Sequence, residues 1–272
     1  MNFHNDEWIL DKVEKHYEEA VELLGEGRVV GVFYQGSGNY GLDYAGSDVD
    51  TKCIVIPTLD DLARGDQPTS VTHIRENDEH IDLKDVRIMF QVFLKHNINF
   101  IEILFTKYYK INPMYEVEVK KLMENRDLIA DCARSSVVKS IYGVASEKFH
   151  ALEHPYPSRM DWISQFGYDP KQLHHLIRLK EFMFRYTGDE SFGECLVANR
   201  PDFHIEVKLG KYNLEEARKY AKESMDAISC WRDGYLVKDN EEECNKAKDL
   251  LDDIKCKLIK KGIMYNIIDG MN

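Results

Sequence analysis

The chain has 272 residues, 43% of them hydrophobic, and a formal charge of -12 at pH 7, enough apolar content for one large core or, as expected here, two lobes. That acidity excludes a broad electrostatic grip on DNA, which needs many lysine and arginine contacts to phosphate; a small nucleotide or a short RNA end needs only a local basic patch. No run of 18 apolar residues and no C-x-x-C pair occurs, and residues 1–7 are too polar for a signal peptide, so membrane association and a zinc ribbon are not expected and a cytoplasmic location is.

In chain order, Trp8, Ile9, Val13, Tyr17, Ala20, Val21 and Leu24 recur at helical spacing, predicting an amphipathic helix over 7–25 that stops at Gly25 and Gly27. Arg28 to Tyr34, rich in β-branched and aromatic residues and closed by Gly36, reads as a buried strand. Asp48 to Ile56 reads as a second strand, residues 58–79 as an irregular loop, and His80 to Leu83 as a third strand. Asp85 is placed to cap a helix running through Lys95. From Val117 onward the periodicity is helical, with helices expected near 115–130, 132–153, 170–187, 213–232 and 240–262. The expected class is therefore α+β. The six cysteines, at 53, 132, 195, 230, 244 and 256, are expected reduced and mostly buried.

The segment from Gly36 to Asp50 carries the chemistry. A glycine-serine turn follows the first strand, and the period of two then puts Asp48 and Asp50 on one face, roughly 7 Å apart at Cα. Two carboxylates so placed repel, and a hard divalent cation such as Mg²⁺, with Mn²⁺ as its substitute, relieves that most directly. Backbone N–H groups at Gly36 and Ser37 suit phosphate oxygens bound to the same cation. Gly36-Ser37-Gly38-Asn39-Tyr40-Gly41 also matches the dinucleotide pattern G-x-G-x-x-G, but Asp43, Gly46 and Ser47 break the long helix that pattern requires. Ser47 and Asp48 taken alone are ordinary turn formers.

Further on, Asp169-Pro170 fits an N-cap with proline at the first helical position. Lys171, His174 or His175, and Arg178 then share one helical face, competent to hold a triphosphate or simply to meet solvent. His150 and His154 stand at i and i+4, but the pattern is not H-E-x-x-H and reads as surface.

These pieces together resemble the polymerase-β-like nucleotidyltransferases, whose pattern is Gly-Ser, a spacer, then Asp-x-Asp on a strand. The likeness is greatest to the bacterial and phage "predicted nucleotidyltransferase" branch, with Tyr40-Gly41-Leu42 and Ser47-Asp48-Val49-Asp50 in place. Asp85-Val86-Arg87 with Asn97 to Leu104, Tyr168 to Lys171 with His174 to Leu179, and Val207 to Gly210 with Leu214 to Glu216 match its later signatures in order, although Ile98 stands where the branch usually has proline. The resemblance implies a palm-like lobe with a small mixed sheet over residues 1–112 and a helical lobe over 113–272. It implies catalytic, metal-binding Asp48 and Asp50, with Asp82 as third carboxylate and Glu79 in reserve, and nucleotide contacts from Gly36, Ser37, Lys171, His175 and Arg178. The activity implied is Mg²⁺-dependent transfer of a nucleoside monophosphate from a nucleoside triphosphate to a hydroxyl on a small molecule, a protein or an RNA end. A synthase of nucleotide signals and a nucleotide-binding module without chemistry are the alternatives.

Overall fold

The computed structural model describes residues 3–75 and 78–269. Helix α1 (Asp6–Leu24) opens at Asn5, whose side chain accepts the Trp8 N–H at 2.8 Å, with Asp6 and Glu7 at the positive end of the helix dipole. Its stripe of Ile9, Val13 and Ala20 packs on strand β1 (Val29–Gln35), which is buried on both faces, as its unbroken apolar run requires. Then come β2 (Asp50–Val55), α2 (Leu59–Arg64), β3 (Ser70–Ile74), β4 (His80–Asp85), α3 (Val86–Leu94), α4 (Ile98–Ile101), β5 (Tyr109–Ile111), α5 (Glu116–Glu124) and α6 (Arg126–Asp131). The five strands form one mixed sheet in the order β3-β4-β2-β1-β5, in which β2 and β4 run parallel and the other pairs antiparallel.

Local signals account for the boundaries. Asp85 caps α3 by accepting the Arg87 N–H at 2.7 Å, and Thr58 and Asp61 form a reciprocal capping box on α2. The residues expected as an irregular loop thus contain a short helix and an edge strand. β3 escapes the alternation rule because Val71 and Ile74 on it are 55% and 63% exposed.

The second unit comprises α7 (Arg134–Ala151), α8 (Met160–Phe166), α9 (Pro170–Thr187), α10 (Phe192–Leu196), α11 (Pro201–Lys208) and α12 (Leu214–Gly234). Leu173, Leu176, Leu179, Phe182 and Met183 of α9 form its core with Val137 and Ile141 of α7 and with Ala217, Ala221 and Ile228 of α12. Tyr40, Gly41 and Leu42 also pack with this unit. The last helix, α13 (Glu241–Asp269), returns to the sheet unit. Its Ala247, Leu251, Ile254 and Leu258 are buried, and Lys261 bonds Glu118 of α5 at 2.7 Å. Among the described residues the sheet unit is drawn from 3–39, 43–75, 78–132 and 240–269. Helical periodicity says which stripe of α13 is buried, not against what.

None of the six cysteines is in a disulfide. Cys53, Cys132 and Cys195 are buried, whereas Cys230 and Cys256 are exposed. Among the described residues no helix is long and apolar enough to cross a membrane.

Candidate functional site

The turn after β1 is built around Tyr34. Its buried hydroxyl accepts the Gly38 N–H at 3.0 Å, and burial pushes that phenol well above its ordinary pKa. Gly36 sits at φ +152°, where a Cβ would lie 2.9 Å from the Tyr34 hydroxyl, so only glycine fits. Asn39 donates its N–H to the Gly36 carbonyl at 3.1 Å, closing the turn, and its side chain bonds the Tyr34 carbonyl and the Thr106 hydroxyl. The Gly38 and Asn39 N–H groups are thereby committed to the turn itself. Ser37 and Ser47 share a hydroxyl hydrogen bond at 3.0 Å, and Ser47 also accepts the Tyr44 N–H at 3.0 Å. Between the serines, buried Asp43 is bound by the His4 N–H at 2.6 Å, tying the loop to the start of α1.

β2 begins at Asp50, so Asp48 lies just before the strand, yet the alternation holds through it. Val49, Cys53 and Val55 belong to the cluster under α1, while Asp48 is exposed and Asp50 half-buried on the other side. Asp50 accepts the His80 N–H at 2.9 Å and lies 3.4 Å from the His80 ring. Lys52 continues this face and pairs in register with Asp82 on β4, which places Asp82 roughly 8 Å from Asp50 at Cα by strand spacing.

Lys52 was not singled out from the sequence, although its position two residues after Asp50 is the signal. It is only 3% exposed, its ammonium lies 3.3 Å from Asp82 and 4.4 Å from the Phe100 ring centre, and it fills a cation's place beside that carboxylate. Burial alone would raise the Asp82 pKa, but the Thr72 hydroxyl at 2.5 Å and the ammoniums of Lys52 and Lys84 outweigh it and hold the carboxyl below its usual range. Glu79 serves elsewhere. It is buried on the α1 side, bound by Lys12 at 3.0 Å, His16 at 3.2 Å and Arg75 at 2.7 Å. His16 in turn contacts the Thr51 hydroxyl at 2.9 Å, and burial holds its pKa below the ordinary value. Among the described residues no three His, Cys, Asp or Glu side chains group as a metal cage. Asp48 and Asp50 carry carboxylate oxygens, the donor type a hard cation takes, and Asp82 is ion-paired with Lys52.

In the helical unit, the Asp169 cap is as expected, accepting the Lys171 N–H at 2.9 Å, and Arg159 clamps the same carboxylate at 2.6 and 2.8 Å. Lys171 and His175 are half-buried. Arg178 is 7% exposed, stacked 3.9 Å over the Tyr40 ring, and its Nε and Nη1 have no partner among the described residues. Both ring nitrogens of the neighbouring His174 are also unpartnered. Burial, reinforced by neighbouring positive charge, drives the pKa of His174 and of His175 far down, so both rings are neutral at pH 7. His150 and His154 are exposed, as expected.

No family model matches the chain, and no curated protein matches it. Among solved structures, a nucleotidyltransferase-like protein from Exiguobacterium sibiricum 255-15 aligns over 94% of this chain and 78% of its own, at 13% identity and a TM-score of 0.30. So loose a superposition carries no weight for the site, whose case stands on the residues of this chain.

Proposed function

We propose that the chain is a divalent-metal-dependent nucleotidyltransferase, moving a nucleoside monophosphate from a nucleoside triphosphate to an acceptor hydroxyl with release of pyrophosphate. The carrying observation is that Asp48, exposed, and Asp50, half-buried, stand at the start of β2, directly after a glycine-serine turn whose shape Tyr34 fixes. Bound Mg²⁺, or Mn²⁺, would supply the charge that lowers the acceptor hydroxyl's pKa and stabilises the attacking and leaving oxygens. Asp48 and Asp50 would hold it, and Asp82 is the third ligand in this proposal, exchanging Lys52 for the metal. Gly36 and Ser37 would orient the triphosphate tail. The helical unit supplies anion-binding candidates of its own. A buried arginine with unpartnered N–H groups is costly unless an anion meets it, which supports a phosphate role for Arg178 with Lys171 and His175.

The test is to incubate the protein with each nucleoside triphosphate and Mg²⁺, with and without cell extract, and to follow pyrophosphate and new products by mass spectrometry. Pyrophosphate should appear with at least one nucleotide and should vanish in Asp48→Asn/Asp50→Asn, whose circular dichroism stays unchanged. Full turnover by that double variant would sink the proposal. A product joining two nucleotides in the absence of extract would identify a signal synthase. Metal-independent binding without pyrophosphate would identify a silent module.

A further inference from the structure

α9 borders a cavity on a side away from Lys171, His175 and Arg178. Ile177, Lys180, Glu181 and Phe184 lie about a third of a turn round the helix from Lys171, His175 and Arg178, and they open onto a cavity of about 370 Å³ shared with α11 and α12. Four of its walls are aromatic: Phe184, Phe203, Tyr220 and Trp231. Phe184 is 62% exposed although it packs against Trp231 at 5.5 Å between ring centres, so this apolar surface is open rather than consumed in the core.

The polar groups of the cavity are arranged unevenly. Glu181 is already satisfied, by His204 Nε2 at 2.9 Å, the Asn199 N–H at 2.8 Å and Arg185 at 3.5 Å. Lys180 and Arg200 have no carboxylate partner among the described residues, so the cavity carries uncompensated positive charge. His204 is fully buried. Its Nε2 lies 2.9 Å from Glu181, and its Nδ1 has no partner among the described residues. A ligand that satisfies these features has a flat π-surface for the rings and an anion for Lys180 and Arg200.

We infer that this cavity binds a nucleotide, its base stacked among the aromatic side chains and its phosphate held by Lys180 and Arg200. The volume falls in the range of small-molecule sites. The same chemistry is offered by a free mononucleotide and by the terminal nucleotide of an RNA strand. The inference does not depend on transfer at Asp48 and Asp50.

Calorimetric titration of the full chain in excess EDTA, using each of the four ribonucleoside 5′-monophosphates, adenosine, inorganic phosphate and pentaadenylate, tests it. At least one monophosphate should bind saturably, at least tenfold more tightly than its nucleoside, and inorganic phosphate should not bind detectably. Phe184→Ala should weaken that binding at least fivefold, by loss of stacking, and Lys180→Ala/Arg200→Ala at least tenfold. Both changes lie at the surface and should leave the circular dichroism intact, while Asp48→Asn/Asp50→Asn should bind like the natural protein. Pentaadenylate binding tenfold tighter than the monophosphate assigns the site to an RNA end, and equal or weaker binding assigns it to free nucleotide. No saturable binding of any monophosphate, or equal affinities in the Phe184→Ala protein, would overturn the inference.

Discussion

A single buried ammonium governs how Asp82 behaves. Lys52 is almost fully buried while Asp82 keeps a quarter of its side chain in solvent, so the pair is asymmetric: removing the carboxylate strands a desolvated charge, whereas removing the ammonium leaves a carboxylate that water can reach. Breaking a fully buried pair costs about 3–5 kcal/mol, and solvent at Asp82 reduces that to about 1–3 kcal/mol for Asp82→Asn. Lys52→Met should cost less, and Lys52→Met/Asp82→Asn less than Asp82→Asn alone. Asp48→Asn, at an exposed position, should stay within about 0.5 kcal/mol of the natural protein. Urea unfolding of these four variants reads all the differences. A cost for Asp48→Asn as large as that for Asp82→Asn would show that Asp48 is a structural residue. Arg178 poses the same question without an answer inside its own unit, since its guanidinium stacks on Tyr40 but leaves Nε and Nη1 unpartnered.

At the level of elements, α13 shows what periodicity tells and what it withholds. Ala247, Leu251, Ile254 and Leu258 recur at spacings of three and four, and those same residues are buried. That the stripe meets the sheet unit rather than its sequence neighbours is a matter of long-range packing, invisible in any local pattern. The approach is close at Gly262, where an added Cβ would lie 2.5 Å from the Tyr115 hydroxyl and 3.1 Å from the Gly27 carbonyl. Tyr115 uses that hydroxyl to donate to the Gly27 carbonyl at 2.6 Å, so it has little freedom to move aside. Gly262→Ala should therefore destabilise the sheet unit by about 1–3 kcal/mol even though alanine favours helix. A rise in melting temperature for Gly262→Ala would show that α13 is not held against that unit. Elsewhere the legible elements are α1, β1, β2, β4, α3, α7, α9 and α12, whose apolar residues cycle, alternate or run unbroken. Exposed β3 and the three-residue β5 lack a buried face to read. Near the proposed site, period two puts Asp50, Lys52 and Asp82 on one side of the sheet, with Asp48 just before the strand. Applied one step past Asp50, the same rule would have found Lys52, whereas the burial of Glu79 depends on His16 and Arg75, partners that only folding brings together.

Across the whole molecule, acid should act first through histidines rather than carboxylates. Burial holds the pKa of His16 in the sheet unit, and of His174 and His175 in the helical unit, below the ordinary value of about 6.5. As pH falls below about 6.5 the unfolded chain gains protons that the native state refuses, so stability falls, by up to about 1.4 kcal/mol per pH unit for each such histidine. The carboxyls of Asp82, Asp169 and Glu181 work in a lower window. Burial opposes their ionisation, but hydrogen bonds and nearby positive charge hold their pKa values below normal, so the stability they contribute is present above about pH 4 and lost only below it. Urea unfolding at pH 7.5 and 5.5 should therefore differ by about 2–4 kcal/mol. The indole signals separate the units, Trp8 reporting on the sheet unit and Trp162 and Trp231 on the helical one. The helical unit should be the more sensitive, because it holds two of the three histidines, and both nitrogens of His174 lack the partners that would offset its burial. His174→Phe removes that orphaned polarity at little steric cost, so it should match or exceed the natural protein at pH 7.5 and lose about one proton's worth of pH dependence. Equal stability at the two pH values, or an unaltered slope in His174→Phe, would mean that these rings are hydrated and free to charge in the native state.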